Sequence, residues 1–168
     1  MNKYSNSEEP DLLKVSEVKL IYRNKVKAID RPQISSSKQA YDIIYKYWDE
    51  DIISLKEEFK MLMLDRRNRC MGITKISEGG CAGTYVDAKI VFPIALKART
   101  HNIIFTHNHP SGEPKPSSAD IKLTNKFQKA AYLLDIKILD HIIVTPEKEH
   151  YFSFMDEGLI QEIRGLDL

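Results

Sequence analysis

The sequence predicts an α/β domain built on a mixed β-sheet flanked by helices, on three observations. Strand-like and helix-like segments alternate between residues 57 and 154, the order expected of α/β architectures. Apolar runs joined by short turns stand at both ends of that region, as hairpins require. Between them, an apolar run at 102–106 passes through a proline- and glycine-bearing turn into an amphipathic helix.

The 168 residues suffice for one domain with a real core, and 42% hydrophobic and 29% charged residues are ordinary for a soluble globular chain. A net charge of +1 gives no basic excess, so tight nonspecific DNA binding is not supported by charge. Arg66, Arg67 and Arg69 cluster locally, but beside Asp65 and Asn68 they read first as a solvated hairpin tip. Cys70 and Cys81 form no CxxC pair and read as two reduced thiols. Residues 1–11 lack the apolar stretch of a signal peptide, and no apolar run approaches the ~20 residues that span a bilayer. A cytoplasmic, soluble protein with no membrane partner is therefore expected.

In order along the chain, residues 1–14 are expected to be a disordered tail, rich in Ser, Asn and Glu at its start. Residues 15–50 read as a small strand-helix extension: a strand at 15–23, a pairing segment at 26–29, and a helix at 40–48. Ser35, Ser36 or Ser37 would cap that helix, and Ala40, Ile44, Tyr47 and Trp48 would form its apolar side. Residues 51–168 are expected to form the main domain. Its first strand, 59–64, places Phe59, Met61 and Met63 on one face and Leu62 and Leu64 on the other, which predicts burial on both sides. A turn at 65–68 leads to a second strand, 70–77, and Gly79, Gly80 and Gly83 mark a loop. Asp87 would cap a helix at 88–99, in which Pro93 removes a backbone bond and predicts a kink. A strand at 102–107, a helix at 118–134 (apolar face Ile121, Leu123, Phe127, Ala130, Ala131 and Leu134), a strand at 136–145 and a strand at 151–154 follow. Asp156 would cap a short final helix.

The chemistry concentrates at residues 107–120, which read HNHPSGEPKPSSAD. Side chains alternate along a strand, so His107 and His109 point one way and Asn108 the other. Asp120 falls in the first turn of the following helix, where a carboxylate can aim back at the strand end. Two imidazoles and one carboxylate, with a fourth position left for water, match the ligand count of a catalytic zinc site. Ser117-x-x-Asp120 also has the pattern of a helix capping box, and Ser117 can cap the helix and still face the site. The contiguous letters His-Asn-His do not make an HNH nuclease, whose residues are dispersed through a ββα unit. Asp140 and His141 interrupt an apolar strand and read either as support for the zinc ligands or as a satisfied core histidine. His101 and His150 read as surface residues.

With Glu57 upstream, then His107-x-His109, seven residues, Ser117, two residues and Asp120, the chain resembles the JAB/MPN metalloenzyme domain. HNHPSG at 107–112, PKPS at 114–117, LDHIIV at 139–144 and YFSF at 151–154 bring it nearest to the RadC-like branch, over roughly residues 51–160. Longer RadC-like proteins carry a helix-hairpin-helix segment suited to DNA, and residues 1–50 show no such pattern. Pro93 also departs from the usual family helix.

The resemblance implies a JAB/MPN-like (cytidine-deaminase-like) fold and a JAMM-type zinc metallohydrolase of metallopeptidase or isopeptidase type. It implies Zn²⁺ held by His107, His109 and Asp120, Glu57 as general base and then acid, and Ser117 as donor to the oxyanion. Glu57 is preferred to Glu58 because it stands two residues before the aromatic Phe59. A peptide or isopeptide substrate is expected. Two other classes stay open: a non-catalytic, DNA-repair-associated binding module, and a metal-dependent nuclease. The sequence fixes neither substrate nor oligomeric state.

Overall fold

The computed structural model describes residues 26–80, 84–160 and 163. The expected tail, the strand at 15–23, Cys81 and Gly83 lie outside the described residues. The elements are a 3₁₀ turn (Ala28–Asp30), α1 (Ser37–Lys46), β1 (Glu58–Leu64), β2 (Cys70–Glu78), α2 (Ala88–Lys97), β3 (Asn102–Asn108), α3 (Ser118–Tyr132), β4 (Lys137–Val144) and β5 (Tyr151–Ser153). The five strands form one mixed sheet in the order β2-β1-β3-β4-β5. β3 and β4 are parallel and every other pair is antiparallel. Parallel neighbours need a crossover, and α3 supplies it. The predicted α/β architecture with hairpins at both ends is therefore observed.

The sheet is buried on both faces. On one, Phe59, Met61, Phe105 and Ile103 pack with Val91 and Phe92 of α2 and Phe127 and Ala131 of α3. On the other, Leu62, Leu64, Ile104, Ile142 and Val144 pack with Ala40, Tyr41 and Ile44 of α1. β1 alternates between the two cores as its sequence predicts.

Ser36 caps α1 by accepting from the Gln39 N–H, but the helix ends at Lys46. Tyr47 falls past the last helical turn, so the 3.6-residue period no longer applies to it, and it is 61% exposed. Tyr41 takes its place in the core and stacks on Tyr151. Residues 26–29 do not form the expected pairing strand. The Asp30 N–H turns back to the Lys27 carbonyl, a local bond that withdraws this segment from any ladder. Asp87 caps α2 through the Lys89 N–H, and the helix runs on through the exposed Pro93. Leu134 lies beyond the end of α3 and is 37% exposed, while Thr124 and Gln128 are buried on the helix face in its stead. No helix follows Asp156 over 156–160; residues 154–158 make turns, closed by Gly158 at φ +69°, where the left-handed backbone stops helical propagation.

One irregularity in β4 matters for the site. Ile103 pairs with Ile138, but Ile104 pairs with Asp140, so β4 carries one extra residue, Leu139. Past this bulge the alternation of β4 is inverted. Ile138 and His141, three positions apart, both reach the α3 side of the sheet. A bulge re-aims side chains in this way. Among the described residues no helix is long and apolar enough to cross a membrane.

Candidate metal centre

β3 ends at the carboxyl edge of the parallel pair, beside the N-terminus of α3. His107 pairs with Phe59 of β1 and Ile143 of β4 and is 1% exposed. Asn108 points the opposite way, as predicted. Its side chain accepts from the Glu58 N–H at 2.7 Å and donates to the carbonyls of Ile53 at 2.7 Å and Lys56 at 2.8 Å. His109 continues the edge through its N–H to the Val144 carbonyl at 2.9 Å. The chain then turns at 110–112. Gly112 adopts φ +81°, and a Cβ there would stand 3.0 Å from the Glu147 carboxylate. This turn returns the Glu113 carbonyl to within 2.7 Å of His109 Nδ1. A carbonyl only accepts, so Nδ1 carries a proton and the neutral ring presents a lone pair at Nε2.

Asp120 sits at the third position of α3. Ser117 caps the helix by accepting from the Asp120 N–H at 3.2 Å, and Asp120 Oδ2 accepts from the Ser117 N–H at 2.7 Å and its hydroxyl at 2.6 Å. The capping box is therefore complete. It also holds the carboxylate rigidly, with Oδ1 3.4 Å from His107 Nε2. Ser117 Oγ–H is directed at Asp120, not into open space.

The three side chains form a group able to hold a metal ion. His107 Nε2 and His109 Nε2 stand 3.0 Å apart, and Asp120 lies 3.4 and 3.7 Å from them. Ligands at ~2.0–2.1 Å around a tetrahedral ion are separated by about 3.3 Å, so the spacing fits a small divalent cation. The protonation states of His107 and Asp120 fit as well. Burial holds His107 down at about 4, so the ring is neutral near pH 7. Burial would lower His109 too, but Asp120 and the Glu113 carbonyl outweigh it and raise the ring. Burial pushes the Asp120 carboxyl up, yet His109, His107 and Ser117 overcome it and hold the group well below the usual carboxylate range.

Glu57 immediately precedes β1. Burial raises its carboxyl, and the Asp120 charge raises it further, against opposing effects of His109 and a Thr84 backbone bond. Its carboxyl therefore lies within electrostatic reach of Asp120 and His109. Glu58 does not: it turns to the other side, pairing with Lys60 at 3.1 Å and Lys75 at 3.2 Å. Of the Asp140-His141 pair, only His141 reaches the site, with Nε2 2.8 Å from His107 Nδ1. Asp140 is bound elsewhere, accepting from Ser153 Oγ at 2.7 Å and the Met155 N–H at 2.9 Å. His101 and His150 are exposed, as expected. Thr124, whose Oγ is 2.7 Å from His141 Nδ1, was not singled out by sequence. The available signal was its position one helical turn after Asp120.

A family model described as the RadC-like JAB domain matches residues 34–159, reaching upstream of residue 51 to include α1. A UPF0758 protein of Flavobacterium johnsoniae is 43% identical over 127 residues, covering 76% of this chain and 53% of that protein. Those of Porphyromonas gingivalis and Methanosarcina mazei are 36% and 38% identical, covering 77% of this chain in each case and 56% and 54% of their own lengths. The chain thus spans about half the length of the curated relatives it matches.

Proposed function

The chain belongs to the family of RadC-like JAB domains, and from that premise we propose that it is a zinc-dependent hydrolase of peptide or isopeptide bonds. The observation that carries this reading is the convergence of His107, His109 and Asp120, with the Glu57 carboxyl within reach of the Asp120 and His109 charges. Two imidazoles and a carboxylate at tetrahedral spacing, with the fourth position left for water, are a ligand set that zinc takes. When bound, zinc would act as a Lewis acid and bring the pKa of water from 15.7 to about 7.

The remaining chemistry belongs to the side chains. Glu57, raised by burial and by Asp120, suits a group that takes a proton from water at its carboxylate and returns it to the departing amine nitrogen. Ser117 Oγ–H can serve the developing oxyanion if it rotates away from Asp120 Oδ2, leaving the Ser117 N–H to hold that carboxylate.

The test combines metal analysis with a peptide- and isopeptide-library cleavage screen on wild type, Asp120→Ala and Glu57→Gln. Near-stoichiometric zinc, lost in Asp120→Ala, and amide cleavage, lost in both variants, are the expected results. A protein that takes up no divalent metal near neutral pH would sink the proposal. Salt-dependent DNA binding equal in wild type and Asp120→Ala, without cleavage, would instead support a binding module. DNA cleavage abolished by Glu57→Gln would support a nuclease.

A further inference from the structure

We propose that Thr124 and His141 form a buried proton-ordered relay that fixes the tautomer of His107 and aims its Nε2 lone pair at the metal position. Both would be positioning residues, and this role rests on the metal-site reading above. The relay starts at the Asp120 main-chain carbonyl, 2.7 Å from Thr124 Oγ. A carbonyl has no proton to give, so the single hydroxyl proton of Thr124 lies there. Thr124 Oγ is also 2.7 Å from His141 Nδ1, and that contact needs a proton from the imidazole. The neutral His141 ring then has a lone pair at Nε2, which lies 2.8 Å from His107 Nδ1. The proton between the two rings therefore belongs to His107 Nδ1, and Nε2 of His107 is left as the lone pair facing His109 and Asp120. The reverse order would leave the Thr124 oxygen against the Asp120 carbonyl with no proton between them.

The surroundings permit no substitute partner from solvent. Thr124, His141 and His107 are 1%, 0% and 1% exposed. The His141 ring is stacked on Phe154 and met edge-on by Phe59 and Phe105. Asp120 stands at both ends of the relay, its carbonyl beginning it and its carboxylate lying beside the nitrogen it exposes. His109 reaches the same tautomer by the shorter route of the Glu113 carbonyl.

The experiment is long-range ¹H–¹⁵N NMR of the imidazoles in zinc-free protein at neutral pH, with zinc affinity measured by chelator competition. Wild type should show His107 and His141 as Nδ1–H tautomers before any metal is added. Thr124→Val, which keeps the side-chain shape, should shift both rings towards Nε2–H and weaken zinc binding 10–100-fold. His141→Phe should weaken zinc similarly while keeping the ring stacking. An Nε2–H tautomer for His107 in zinc-free wild type overturns the relay even if zinc binds tightly. Folded Thr124→Val and His141→Phe proteins with wild-type zinc affinity overturn the positioning role. The predicted tautomers in a protein that binds no metal would overturn the positioning role and the metal reading together, while leaving the hydrogen-bond order intact.

Discussion

The side chain of Asn108 accepts a 2.7 Å hydrogen bond from the Glu58 backbone N–H, so β3 and the segment leading into β1 are locked together. His107 and His109 flank Asn108, and Glu57 adjoins Glu58. The clamp therefore joins the imidazole-bearing strand to the acid-bearing segment from the far face of the sheet. Asn108→Ala would leave the Glu58 N–H and the Ile53 and Lys56 carbonyls without this partner. We predict a loss of about 2–4 kcal/mol in denaturant unfolding. Hydrolysis should fall more than zinc affinity, because the released segment carries Glu57 and none of the ligands.

Glu57→Gln preserves size but removes the proposed proton acceptor. Amide cleavage should drop by about 10²–10⁴-fold with zinc content unchanged. Parallel steady-state kinetics and elemental analysis check this. Loss of zinc together with activity would mean that Glu57 is a structural part of the cluster.

Asp120 couples the metal position to its helix. Asp120→Ala should abolish zinc binding and also break the capping box, lowering zinc-free stability by about 1 kcal/mol. Zinc at 100 times its Kd should stabilise wild type by about 2.7 kcal/mol and leave Asp120→Ala unmoved. Thermal unfolding with zinc and with chelator reads both effects.

Asp140 predicts a pH dependence away from the metal. Burial pushes its carboxyl up from 3.8 to about 6, despite the bonds from Ser153, Met155 and His141. The native state thus binds the proton more tightly than the unfolded chain. This contribution is fully favourable below pH ~4 and is lost as pH rises through about 6, a span of about 3 kcal/mol. Asn can accept from both backbone N–H groups and donate to Ser153 Oγ without ionising. Asp140→Asn should therefore gain stability relative to wild type as pH rises from 4 to 7. A constant difference across that range would contradict the shift.

The convergence of His107, His109 and Asp120 was legible because each obeys a local rule: alternate strand positions for His107 and His109, and the first helical turn for Asp120. The double-sided burial of β1 was legible for the same reason, since strict alternation persists from Phe59 to Leu64. Where local periodicity stops, reading from sequence stopped as well. Tyr47 and Leu134 were extrapolated one and two residues past the ends of their helices. The reach of His141 to His107 depends on Leu139 being an extra residue opposite β3, which only strand pairing reveals. Glu57 and Glu58 are adjacent acids, separated in surroundings by the lysines that claim Glu58.

The inserted Leu139 makes this architecture indifferent to a particular genetic event. Loss of that one codon keeps the reading frame and every chemically active side chain. It would also restore simple alternation, with His141 two positions after Ile138 and so still on the α3 face. Descendants that differ by one residue between Ile138 and His141 could thus share one arrangement of the site, and a gap at this point of β4 would not set them apart.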